Sequence, residues 1–248
     1  MNKIISLCVS FCIMILSFSS LYIESSDYQY QTYVRINPIT KEEEIIDARD
    51  FSDYDELIKQ MATDYFNIYN VNDEVVGWLN IPNIGYYPVT MNEDNQYYLT
   101  HNEYKEYSKA GIPFMNNSCG GSFSDIALIH GHHMKNGSMF GSLEKYKDEE
   151  FFQNNDLITV FDGDYLYIYQ PFTVMLYKDG SDTIKTTKMN KIDRRKYLQS
   201  LQDQSIVQIK EGTEIDLNNQ VLFLSTCNYS FENARLLVGC VMVDKIKY

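Results

Sequence analysis

The segment VLFLSTCNYSFENARLLVGCVMV, residues 221–243, sets two apolar runs around a short polar stretch. It reads as a hairpin of two strands, 221–227 and 235–243, the last strands of the chain. Cys227 ends the first run, and Arg235 opens the second eight residues later. Two readings of that pair stand side by side. In one, a small buried cysteine lies near a solvated arginine. In the other, a thiol nucleophile and a permanent cation form half of an active site.

Working outward, strand-like runs recur upstream. VVGWLNI and IGYYPVT flank a Pro82-Asn83 turn and read as two short strands. IALIHGHH (126–133) reads as a buried strand running into histidines. DLITVFDGDYLYIYQPFTVMLY (156–177) carries an Asp162-Gly163 turn between strands, with Tyr165, Tyr167 and Tyr169 alternating with Leu166 and Ile168 as on a two-faced sheet. Helical spacing appears twice: in 52–69, with Leu57, Met61 and Tyr65 on one stripe and Ser52 as the starting cap, and in 191–202. Roughly eight strands at these intervals predict a mainly β domain, a barrel or a sandwich. The predicted divisions are 1–25 as an N-terminal anchor or signal segment, 26–51 as a polar linker, and 52–248 as the globular domain.

Composition narrows the function. The chain has 248 residues, a formal net charge of −13 and no basic run beyond KIDRRK (191–196), which reads as the exposed face of a helix. Nucleic acid is therefore excluded as a partner. Residues 4–23 form a twenty-residue stretch without a charge, long enough to span a bilayer. Lys3 before it and Glu24 and Asp27 after it favour a cytoplasmic N-terminus, so a single-pass membrane protein with an external domain is expected. A cleaved signal peptide is the competing reading. Cys8 and Cys12 fall inside this stretch, leaving Cys119, Cys227 and Cys240. An odd number in a domain of this size leaves at least one thiol free.

The candidate proton-transfer groups are His130, His132 and His133, with His101 apart from them. No H-E-x-x-H or C-x-x-C spacing supports a metal site. A cysteine nucleophile needs an imidazole partner, and attack on a carbonyl builds negative charge that a cation stabilises. Cys227, one of the three histidines and Arg235 therefore make a chemically complete set.

LSTC (224–227), the arginine of ARLLV (234–238) and the upstream HGHHMKNGSMFGSL together resemble the sortases, cysteine transpeptidases that anchor proteins to the cell wall of Gram-positive bacteria. GHHM (131–134), MFGSL (139–143), DNQYYL (94–99) and AGIPF (110–114) are similar to the class B branch, over about residues 52–248. The resemblance implies an eight-stranded sortase-type barrel with an N-terminal helical appendage and a helix inserted between late strands. It also implies His132, Cys227 and Arg235 as catalytic residues, with Ser225, Thr226, Asn95 and Leu99 as candidate substrate contacts. Two positions depart from the pattern: His130 stands where tyrosine is frequent, and His133 where asparagine is usual. The implied reaction is acyl transfer from a sorting-signal peptide, cut after threonine, to an amine of peptidoglycan or its lipid-linked precursor, without metal or organic cofactor. A membrane-anchored cysteine endopeptidase and a catalytically silent peptide-binding module on the same fold are the alternatives.

Overall fold

The computed structural model describes residues 31–36, 43–48, 54–123, 125–209 and 211–248, with backbone only for the first two segments. Those two segments, β1 (Gln31–Ile36) and β2 (Glu43–Ala48), pair antiparallel where a polar linker was expected. Their β-branched residues, Thr32, Val34, Ile36, Ile45 and Ile46, favour extended chain despite the surrounding acidic residues.

Helix α1 (Tyr54–Tyr69) follows, starting two residues later than expected; Ser52 lies outside the described residues. Asp55 and Glu56 sit in its first turn, where carboxylates complement the helix dipole. It buries Ile58, Met61, Ala62, Tyr65 and Ile68 against Trp78, Tyr86, Phe161, Leu166 and Ile168 on the outside of the barrel.

The barrel uses β3 (Val75–Ile81), β4 (Gly85–Thr90), β5 (Phe114–Met115), β6 (Ile126–His130), β7 (Ile158–Phe161), β8 (Tyr165–Lys178), β9 (Val221–Cys227) and β10 (Ala234–Lys247). Neighbours run β10-β8-β7-β3-β4-β5-β6-β9, and β9 closes on β10. The pairs β4–β5 and β6–β9 are parallel, and the other neighbours are antiparallel. Eight strands leave an interior that side chains fill. Leu222 and Leu224 of β9 and Leu236, Val238 and Cys240 of β10 point into it, with Tyr167 and Tyr169 of β8. The tyrosines of the alternating β8 stretch are thus inside, while Leu166 and Ile168 lie beneath α1.

Two more helices complete the domain, α2 (Glu149–Asn154) and α3 (Lys191–Gln202). Asn190 caps α3 by accepting from the Ile192 and Asp193 amides. Leu198 and Leu201 of α3 cover Phe172, Met175, Tyr177, Phe223 and Leu237, the outer face of β8, β9 and β10. KIDRRK is only partly the solvated face expected of it. Arg194 turns inward, 12% exposed, to pair with Asp125 and the Asn219 carbonyl.

The expectation of a single-pass membrane protein is corrected: among the described residues no helix is long and apolar enough to cross a membrane. Residues 4–23, which carried that expectation, lie outside the described residues.

Candidate active site

The site is built at one end of the β6–β9–β10–β8 wall. Ladder register places the thiol and the cation opposite each other, since Cys227 is the cross-strand partner of Arg235. The Arg235 guanidinium donates from Nη1 to the Cys227 sulfur at 2.6 Å and from Nη2 to Oδ2 of Asp179 at 2.7 Å. Burial works against the charge on Arg235, but the Asp179 carboxylate and the Cys227 sulfur more than offset it and hold its pKa above the ordinary value. In turn, the hydrogen bond from Arg235 holds the Asp179 carboxyl below its usual range. Cys227 is partly exposed at the strand end, so a ligand can reach it. Cys240 is fully buried and Cys119 partly so, and burial pushes both thiols up, towards the inert protonated form.

The histidines arrive differently. Strand β6 ends at His130, and residues 131–141 fold back on themselves through a bridge between His133 and Met139 and a bond from the Phe140 amide to the His132 carbonyl (3.0 Å). Phe140, fully buried, pins the loop to the barrel core. Only glycine fits at 131, because a Cβ there would lie 2.7 Å from the Phe140 ring. Gly131 is also tied to β9: its amide donates to the Ser225 carbonyl at 3.1 Å, and its carbonyl accepts from the Thr226 hydroxyl at 2.8 Å.

The imidazoles of His132 and His133 each face a backbone carbonyl, and a carbonyl only accepts. His132 Nε2 lies 2.7 Å from the Leu99 carbonyl, so Nε2 carries the proton and Nδ1 holds the lone pair of the neutral ring. His133 Nδ1 lies 2.7 Å from the Cys227 carbonyl, so it donates there and fixes the backbone at Cys227. The Glu144 carboxylate stands 3.8 Å from the same nitrogen, accepts from Asn228 Nδ2 at 2.6 Å and pairs with Lys147. His130 is turned into the wall beside Phe114 and meets Asn116 through Nε2 at 3.3 Å. Burial, reinforced by the Arg235 charge, pushes it down to about 4, so it is neutral near pH 7. His101 stacks on Tyr97.

The four candidate substrate contacts take varied places. Ser225 and Thr226 are each 1% exposed, and their hydroxyls bond to Tyr177 (2.8 Å) and to the Gly131 carbonyl. Asn95 exchanges two bonds with Asn117, at 2.8 and 3.0 Å, which join two loops. Leu99, in the short 3-10 turn Tyr97–Leu99, offers its carbonyl to His132. That turn is clamped by the Tyr98 hydroxyl, which donates to Glu74 at 2.7 Å and accepts from Asn72 at 2.9 Å. Sequence reasoning missed Asp179, Tyr177, Glu144 and Asn228. None lies in a motif that marks it, although Asn228 follows the cysteine directly.

The chain that carries this thiol, guanidinium and histidine loop is similar to known proteins in both sequence and fold. No family model matches the chain. Sortase B of Listeria monocytogenes is 30% identical over 189 residues, covering 72% of this chain and 74% of that protein. Sortase B of Staphylococcus aureus is 26% identical, covering 68% and 70%. The crystal structure of Clostridium perfringens sortase B superposes with a TM-score of 0.67 at 31% identity, covering 72% of this chain and 99% of that one. With two thirds of a relative at 30% identity matched and the barrel closed in the same way, the chain belongs to the class B sortases, a family of cysteine transpeptidases.

Proposed function

We propose that the protein cleaves a sorting-signal peptide after its threonine and passes the acyl group to an amine of peptidoglycan or its lipid-linked precursor. The observation that carries this reading is the Arg235 contact to the sulfur of Cys227, 2.6 Å, at an accessible strand end.

The geometry supports a two-step acyl transfer. His132 Nδ1 takes the thiol proton, and the guanidinium of Arg235 stabilises the thiolate and then the oxyanion. The sulfur attacks the threonine carbonyl carbon. The C–N bond breaks, and the leaving amine collects the proton from His132, which leaves a thioester on Cys227. In the second step the acceptor amine attacks the thioester carbonyl, gives a proton back through His132, and the C–S bond breaks to restore the thiol. The Leu99 carbonyl holds the imidazole in the tautomer this sequence needs, the role an acidic residue plays in other triads.

Intact mass after incubation with a pool of sorting-signal-like peptides tests the reading. The expected result is an adduct equal to a peptide cut after threonine, absent in Cys227→Ala and discharged onto an added amine. Discharge to the free acid at the same rate with and without amine would make the protein an endopeptidase. Unchanged peptide binding with no adduct and an unreactive thiol would make it a binding module.

A further inference from the structure

The guanidinium of Arg235 is a fork with two ends in use, and only one of them serves the sulfur. The other is held by a residue from a different strand connection. Strands β8 and β10 pair through Arg235 and Tyr177, and two residues further the Asp179 amide donates to the Asn233 carbonyl at 2.8 Å. This carries the Asp179 carboxylate to the same side of the hairpin as Arg235, two residues along the ladder. Oδ1 of Asp179 accepts from the Gly180 amide at 3.1 Å, which fixes the carboxylate, and Oδ2 accepts from Nη2 at 2.7 Å. Arginine has a long, rotamer-rich side chain, and Arg235 is 31% exposed. One contact to a sulfur does not orient such a group, whereas a second contact in the plane of the fork does.

We propose that Asp179 is the positioning residue of Arg235: it holds Nη2 so that Nη1 stays at the Cys227 sulfur, and it takes a share of the guanidinium's charge. This rests on the proposed roles of Cys227 and Arg235. The other titratable groups facing the guanidinium are Tyr177 of β8 and His130 of β6. Burial keeps the Tyr177 phenol protonated, and His130 is neutral near pH 7, so Asp179 is the counter-charge on this side of the arginine. Removing its charge while keeping its shape leaves the guanidinium's field undivided on the sulfur. Removing the side chain also frees the fork to rotate away.

The experiment compares Asp179→Asn and Asp179→Ala with the unaltered protein. Peptide turnover is measured, together with the rate at which iodoacetamide alkylates Cys227 at fixed, mildly acidic pH, followed by peptide mass. The expected turnover number falls about threefold in the asparagine variant, which keeps an acceptor for Nη2, and about thirtyfold in the alanine variant, with KM little changed. Alkylation of Asp179→Asn is expected to be faster than that of the unaltered protein, despite its slower turnover. Equal losses of turnover in both variants would overturn the proposal, as would alkylation of Asp179→Asn no faster than the unaltered protein. So would losses that follow a common drop in melting temperature, which would mark a merely structural role. Failure of the unaltered protein to form any acyl adduct would sink the acyl-transfer reading alone, since alkylation still reports on the pair.

Discussion

The thiol and cation on one side of the site and the histidines on the other are held by different physics. Cys227 and Arg235 are opposite members of a ladder, so the closed sheet that makes the barrel also sets their separation. His132 and His133 stand on a loop beyond the end of β6. Their aim comes from carbonyls of Leu99 and Cys227, 33 and 94 residues away in sequence, and from the anchoring of Phe140. A ladder resists deformation cooperatively, whereas a loop held by a few bonds fails one bond at a time. Loss of an anchor should therefore disarm the imidazoles before it touches the thiol–arginine pair.

Phe140→Ala is the strongest way to break that contrast. Removing a fully buried ring should cost about 3–5 kcal/mol of stability, read from denaturant midpoints. Below the transition, peptide turnover should fall while Cys227 alkylation stays near the unaltered rate. Equal loss of both would show that the two sides of the site are one cooperative unit.

His130 tests the wall between them. Its folded pKa of about 4 lies below the unfolded value of 6.5. Between these values the unfolded chain binds a proton that the folded one refuses, so the stability contribution is complete above 6.5 and lost as pH falls towards 4. The full window is worth about 3 kcal/mol, and His130→Gln should flatten the melting temperature across it. A profile unchanged by the substitution would mean that His130 is not the titrating group.

Arg235→Lys sharpens the other side. Lysine keeps the charge and loses the fork, so it cannot hold the sulfur and Asp179 together. Turnover should fall about a hundredfold, with the melting temperature nearly unchanged. Activity within a few-fold of the unaltered protein would mean that charge alone suffices.

What the sequence revealed follows the same division. Strands β3 and β4 and helix α3 were legible almost to the residue, since short apolar runs, the Pro82-Asn83 turn and helical spacing specify them. The Asp162-Gly163 turn was legible because Gly163 adopts a positive φ of 102° that the hairpin needs. Strand β5 was not: two residues carry no periodicity, and Phe114 is a strand only because Thr90 and His130 flank it. The thiol–arginine pair was legible because one hairpin contains both. Asp179 was hidden because it lies 56 residues from Arg235 and the fold alone joins them. The tautomers of His132 and His133 were hidden for the same reason, each being set by a distant carbonyl.

Thr226 sits where the two halves meet, and the smallest predicted effect is the most discriminating. Its side chain leaves the ladder to hold the Gly131 carbonyl, linking the strand of Cys227 to the loop of the histidines at 2.8 Å. Thr226→Val keeps the shape and removes the bond, which should cost about 1 kcal/mol of stability. If the hydroxyl works only as this tie, the turnover number falls a few-fold while KM holds, because the peptide never touched it. If KM rises and the turnover number holds, the hydroxyl lies on the peptide. The tie is the stronger account: at 1% exposure, with its one proton already donated to Gly131, Thr226 can donate nothing to a substrate until that bond is broken.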